Sequence, residues 1–137
     1  MYTNIKKELL RFISEDIQSG DITSVLLPKK KIKAKIISRE EGILAGVRFA
    51  REIFHLKGCR GRIMKKDGTR LKPNQVVLEV SGNARTVLSC ERTALNLLSR
   101  MSGIATHTSF LVSKIKKINK IIKNSQKSIT VIFFILY

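Results

Sequence analysis

Histidine, cysteine and, toward the C-terminus, acidic residues are scarce in this 137-residue chain, and each scarcity removes a class of function. Cys59 and Cys90 lack metal-ligand spacing, and His55 and His107 form no cluster with them, which argues against a zinc-type centre. Two such thiols make no disulfide framework and read as reduced, small apolar residues, so the expected compartment is the cytoplasm. The N-terminus "MYTNIKKELL" lacks the apolar region of a secretion signal. The only long apolar run, "ITVIFFILY", is about half of what a bilayer-spanning helix requires, and no membrane partner is expected.

The shortage of carboxylates is the larger departure. Ten Asp and Glu face 27 Lys and Arg, for a formal net charge of +17, and no acid follows Glu91. Such a balance implies attraction to an anion: nucleic acid, a membrane surface, or phosphorylated and carboxylated small molecules. The lysine-rich stretch "KIKKINKIIKNSQK" carries no aromatic platform and no nucleic-acid motif. It reads as a solvated helix face, so nucleic acid is not the expected partner.

What is present is a set of short amphipathic segments sufficient for one core. Ile5, Leu9, Phe12 and Ile13 share a helical face in residues 4–15. Gly20, Asp21 and Pro28 mark a turn region. In "KIKAKIISRE", Ile32, Ala34 and Ile36 alternate with Lys31, Lys33 and Lys35, the period of a half-buried strand. "ILAGVRFAREIFHLKG" predicts a helix through Leu44, Val47, Ile53 and Leu56 that stops at Gly58. "RGRIMKK" and "QVVLEVSG" predict strands, with turns at Asp67-Gly68 and Pro73-Asn74. The order helix, strand, helix, strand, strand is that of an α+β fold whose helices cover one face of an antiparallel or mixed sheet.

Residues 85–101 give the strongest helical pattern. Val87, Leu88, Cys90, Ala94, Leu95, Leu97, Leu98 and Met101 fall in one arc, opposite Arg85, Ser89, Arg92, Asn96, Ser99 and Arg100. Glu91 lies inside the apolar arc, where a carboxylate needs a partner. The polar stripe is either a solvated face or an anion-binding edge, with Arg92 offering a planar fork to a carboxylate or phosphate. Gly103 is expected to end this helix, and a second one resumes at Ile104.

"ERTALNLLSRMSGIAT", residues 91–106, resembles the signature of the quinolinate phosphoribosyltransferases, the carboxylating nicotinate-nucleotide pyrophosphorylases. "EDIQSGDIT", "EEGILAGVRFAREIF" and "KDGTRLKPNQVVLEVSGNARTVL" resemble the same family in the same order, so the likeness runs from residue 1 to about residue 118. The resemblance implies an N-terminal domain of the α/β-hammerhead kind, followed by a barrel of parallel strands and helices. It also implies a cytoplasmic homodimer or higher homo-oligomer that condenses quinolinate with phosphoribosyl pyrophosphate, using Mg2+, to nicotinate mononucleotide, CO2 and pyrophosphate. In the family, the arginine corresponding to Arg92 reaches the neighbouring subunit's active site and binds substrate carboxylate.

Beyond residue 118 the likeness breaks. Where the family reads Asp-Thr-Arg-Lys-Thr, this chain has Asn124, Ser125, Gln126, Lys127 and Ser128, of which only Lys127 is identical. Gln126 lacks the charge and fork of the family's arginine, so Gln126, Lys127 and Ser128 are weaker substrate-binding candidates than Arg92. The expected organisation is residues 1–107 as the N-terminal domain, 108–128 as the start of a truncated barrel with a first strand at 121–124, and 129–137 as an apolar tail. No complete catalytic set and no Mg2+ ligands are expected in this short chain, which is expected to be inactive alone. The alternatives are a nonenzymatic remnant or interaction module, and a relative of this fold acting in molybdenum transport.

Overall fold

The computed structural model describes residues 2–18 and 30–125. The chain opens with helix α1 (Tyr2–Gln18). Strand β1 (Lys31–Ile37), strand β2 (Gly42–Ile43) and helix α2 (Val47–Leu56) follow. Strands β3 (Arg60–Ile63), β4 (Arg70–Leu71) and β5 (Val76–Asn83) lead into the long helix α3 (Ala84–Ser125). Two compact units divide at Thr106/His107, within α3.

In the first unit, β5 is the central strand of an antiparallel sheet of order β1-β5-β3, and β2 and β4 form a separate two-stranded ladder. The alternation expected for β1 is present: Ile32, Ala34 and Ile36 turn inward, while Lys31, Lys33 and Lys35 are exposed. Leu78 and Val80 of β5 and Ile63 of β3 join them on the inner face. That face packs with Leu9 and Ile13 of α1, Val47, Ala50, Ile53 and Phe54 of α2, and Val87, Cys90, Ala94 and Leu98 of α3. This is the expected α+β layer, with helices on one side of the sheet.

Local chemistry moves several boundaries. Leu44 is buried but not helical: β2 pairs Gly42 with Leu71 and Ile43 with Arg70, and α2 begins only at Val47. Gly46, at φ 90°, makes the left-handed turn that starts it, and the Asp67 carboxylate accepts the Val47 N–H at 2.9 Å. Gly58 (φ 79°) closes α2 as expected. Gly68 (φ 86°) and Asn74 (φ 65°) occupy the two expected turns. Phe12 is 40% exposed rather than in the core, because the buried row of α1 runs through Leu9 and Ile13. Its ring instead lies beneath the Arg11 guanidinium, 5.9 Å from the ring centroid.

α3 does not stop at Gly103, and residues 121–125 continue it where a barrel strand was expected. Gly103 takes no left-handed turn, and helix hydrogen bonding carries through it. Within the second unit, Phe110 packs between His107, at 6.5 Å between ring centroids, and the Lys114 ammonium at 5.2 Å. Its Phe110, Leu111, Val112, Ile115 and Ile118 are exposed.

Candidate functional site on the third helix

α3 begins where the Asn83 side-chain oxygen accepts the Arg85 N–H at 3.0 Å, an N-terminal cap that also ends β5. Ala84, Val87, Cys90, Ala94 and Leu98 then descend into the core at helical spacing, joined by the buried Thr93. The Cys90 thiol reaches the Ile53 carbonyl of α2 at 4.0 Å.

One turn below Leu98, the helix is clamped to the segment after β1. The Ala45 N–H donates to Ser102 Oγ at 3.0 Å, and that hydroxyl also contacts the Ala45 carbonyl at 3.3 Å. The Ile43 N–H donates to Thr106 Oγ1 at 2.8 Å, while the Thr106 hydroxyl donates to the Ser102 carbonyl at 2.7 Å. Two glycines permit the approach. A Cβ on Gly42 would lie 2.8 Å from Thr106 Oγ1, and one on Gly46 only 2.5 Å from Met101 Sδ. The cap, the apolar row and the clamp together fix the rotation and axial position of the helix in the first unit.

That rotation decides what α3 presents. Its buried line runs through Cys90 and Ala94, so Glu91 is exposed and needs no buried partner, contrary to expectation. Leu88, also expected inside, is 40% exposed for the same reason. Arg92 projects from the opposite flank, with Asn96 and Ser99 exposed along the same side. The Ser89 hydroxyl is spent on the Arg85 carbonyl at 2.7 Å. Among the described residues, no carboxylate pairs with the Arg92 guanidinium, so its five donors are available to an incoming anion.

The chemistry of this flank is recognition. Burial pushes the Cys90 thiol up to about 11, with a smaller contribution from Cys59 and an opposing one from Lys57. Burial also raises Cys59, so neither thiol is a nucleophile at neutral pH. Among the described residues, no three His, Cys, Asp or Glu side chains come together as a metal site. Gln126, Lys127 and Ser128 lie outside the described residues.

The sequence matches the family described as "Quinolinate phosphoribosyl transferase, N-terminal domain" over residues 21–102, more than half of the chain. The chain belongs to the quinolinate phosphoribosyltransferase family. It is 41% identical over 100 residues to the "Probable nicotinate-nucleotide pyrophosphorylase [carboxylating]" of Archaeoglobus fulgidus, a match covering 73% of this chain and 38% of that protein. A protein of the same name from Bacillus subtilis is 40% identical over 110 residues, covering 78% of this chain and 38% of the relative. The solved nicotinate-nucleotide pyrophosphorylase of Francisella tularensis superposes with a TM-score of 0.76 at 34% identity, over 82% of this chain and 41% of that one. The chain thus spans about two fifths of the length of these relatives.

Within this N-terminal domain of the family, the signature segment divides into two jobs. Thr93, Ala94 and Leu98 build the core and Ser102 and Thr106 hold the register, leaving Glu91, Arg92 and Arg100 as the exposed, charged members, with Arg92 the one that the family resemblance assigns to substrate carboxylate. Neither the clamp nor the Asp67 cap follows from the hydrophobic periodicity of the sequence. A signal existed: Gly42 and Gly46 are four residues apart, and so are Ser102 and Thr106, the spacing of one helical turn.

Proposed function

We propose that this chain is the N-terminal domain of a carboxylating nicotinate-nucleotide pyrophosphorylase and that Arg92 is its contribution to quinolinate binding. The observation that carries the reading is the exposed Arg92 guanidinium, unpaired among the described residues, on a helix whose other side is locked into the core. Quinolinate carries two carboxylates, and a planar fork matches a carboxylate through two parallel hydrogen bonds. The reaction it serves joins quinolinate to phosphoribosyl pyrophosphate and yields nicotinate mononucleotide, CO2 and pyrophosphate. Arg92 would act across a homo-oligomer interface by binding and orienting the substrate, and the reacting groups would come from the barrel.

Mg2+ belongs to the complete enzyme in this proposal. The described residues offer no carboxylate cluster to hold it, so its ligands would come from the barrel. Gln126, Lys127 and Ser128 remain weaker substrate contacts, since an amide at 126 lacks fixed charge. No helix among the described residues is long and apolar enough to cross a membrane. A cytoplasmic location accords with small phosphorylated and carboxylated substrates.

The test is an assay for nicotinate mononucleotide on two proteins. The 137-residue chain alone should show no turnover above a blank. A chimera joining residues 1–118 to the barrel of the Bacillus subtilis relative should show turnover. Activity in the chain alone, or an inactive but folded chimera, would overturn the reading.

A further inference from the structure

We propose that the outer face of the β1-β5-β3 sheet is a peripheral docking surface for an anionic lipid bilayer. β1 and β3 are both antiparallel to β5, so they run the same way and their outward side chains share rungs. One rung holds Lys33, Ser81 and Arg60, and the next holds Lys35, Glu79 and Arg62. Lys31, opposite Asn83, extends the first row. Lys31, Lys33, Lys35, Arg60 and Arg62 are all exposed. Outward residues along one strand are roughly 6.8 Å apart, and the two outer strands are separated by about 10 Å. Five cations therefore crowd a patch the size of a few lipid headgroups. Glu79 is the only carboxylate among these strand residues and is already paired with Lys35 at 3.5 Å.

Past the charged rungs, where the β1–β5 register shifts between Ile36 and Ile37, Ile37 at the end of β1 and Met64 just beyond β3 are 49% and 39% exposed. The face thus combines a basic field with an apolar rim at one end. These are the two contributions that hold a peripheral protein at a bilayer: charge attraction to acidic headgroups and insertion of apolar groups at the headgroup–acyl boundary. A nucleic acid fits less well. Among the described residues, the patch has no aromatic side chain on which a base could stack and no helix or ribbon to enter a groove. On a duplex, Ile37 and Met64 would stay in water. The expectation of no membrane partner rested on the lack of a spanning segment, and a peripheral contact needs none.

The test is co-sedimentation of the full chain with vesicles of mixed phosphatidylserine and phosphatidylcholine, against vesicles of phosphatidylcholine alone. Binding should require phosphatidylserine and weaken with salt. Lys33→Gln with Arg60→Gln should lower the partition coefficient about tenfold or more, since each cation at such a surface contributes roughly fivefold. Glu79→Gln, which removes the one negative charge, should raise it. Ile37→Ser with Met64→Ser should weaken vesicle binding several-fold and leave any binding to a short DNA duplex unchanged. Lys114→Gln, Lys116→Gln and Lys117→Gln together remove charge from the helix of the second unit and should have a smaller effect than the sheet pair. The proposal is overturned if that helix variant loses as much as the sheet variant or if the sheet variants bind like the parent. Tighter binding to the duplex than to vesicles at equal salt would also overturn it and favour nucleic acid.

Discussion

Cys90 and Arg92 stand two residues apart on α3 and face nearly opposite ways, about 200° apart around the helix. Cys90 is fully buried, and Arg92 is exposed. Replacing Arg92 by Ala should therefore leave the unfolding free energy within about 0.5 kcal/mol of the parent, the usual range for a surface change, as read by urea denaturation. Cys90 should show its burial in alkali. Its thiol is raised from the ordinary value of 9.0 to about 11, so the folded state holds its proton more tightly than the unfolded chain does. The resulting stability is fully present below pH 9.0 and is lost as pH rises toward about 11. Urea midpoints across that window should fall more steeply for the parent than for Cys90→Ala, and parallel curves would refute the assignment. The neutral, buried Cys pair was legible from sequence, since two unclustered thiols read as apolar residues. The exposure of Glu91 was not, because composition does not reveal which side of an apolar arc faces the core.

Element boundaries depended on backbone conformation that residue type alone leaves open. Gly58 and Gly68 stand where a left-handed turn was expected and take one, whereas Gly103 sits inside α3 and Gly46 starts a helix rather than continuing it. A glycine signals permission for a turn, and tertiary packing decides whether the turn is made. Gly103→Ala separates the two cases. A Cβ there meets no atom within 4 Å, and the residue is exposed and helical, so alanine should stabilise the chain by up to about 1 kcal/mol. Destabilisation would mean that Gly103 is a terminating residue after all. Gly46→Ala should do the opposite, costing about 1–3 kcal/mol, because φ is 90° and the new methyl meets Met101 Sδ. Ser102→Ala should cost about 1 kcal/mol by leaving the partly buried Ala45 N–H without its acceptor. Chemical denaturation of the three variants side by side checks all three signs. The strands were easier to read: β1 shows its period-two pattern directly, while the two-residue β2 and β4 are too short to carry one.

For the whole molecule, the two-layer fold and the family were both legible. The first follows from alternating periods, the second from a long ordered set of segments ending in residues 91–106. The sequence also drew attention to Arg92, but residue pattern leaves open whether its stripe meets water or a ligand; the cap, the core row and the clamp hold that stripe at the surface. If the site is shared between subunits, a chimera bearing Arg92→Ala and a second chimera disabled only in the barrel should regain activity when mixed. The most direct measurement is the quinolinate dependence of the chimera carrying residues 1–118, with and without Arg92→Ala. A charge-assisted hydrogen bond contributes about 1.5–3 kcal/mol, so kcat/KM for quinolinate should fall roughly 10- to 150-fold, and Arg92→Lys should restore only part of it. A chimera whose quinolinate dependence is unchanged by Arg92→Ala would contradict the account and leave the polar stripe of α3 as a solvated face.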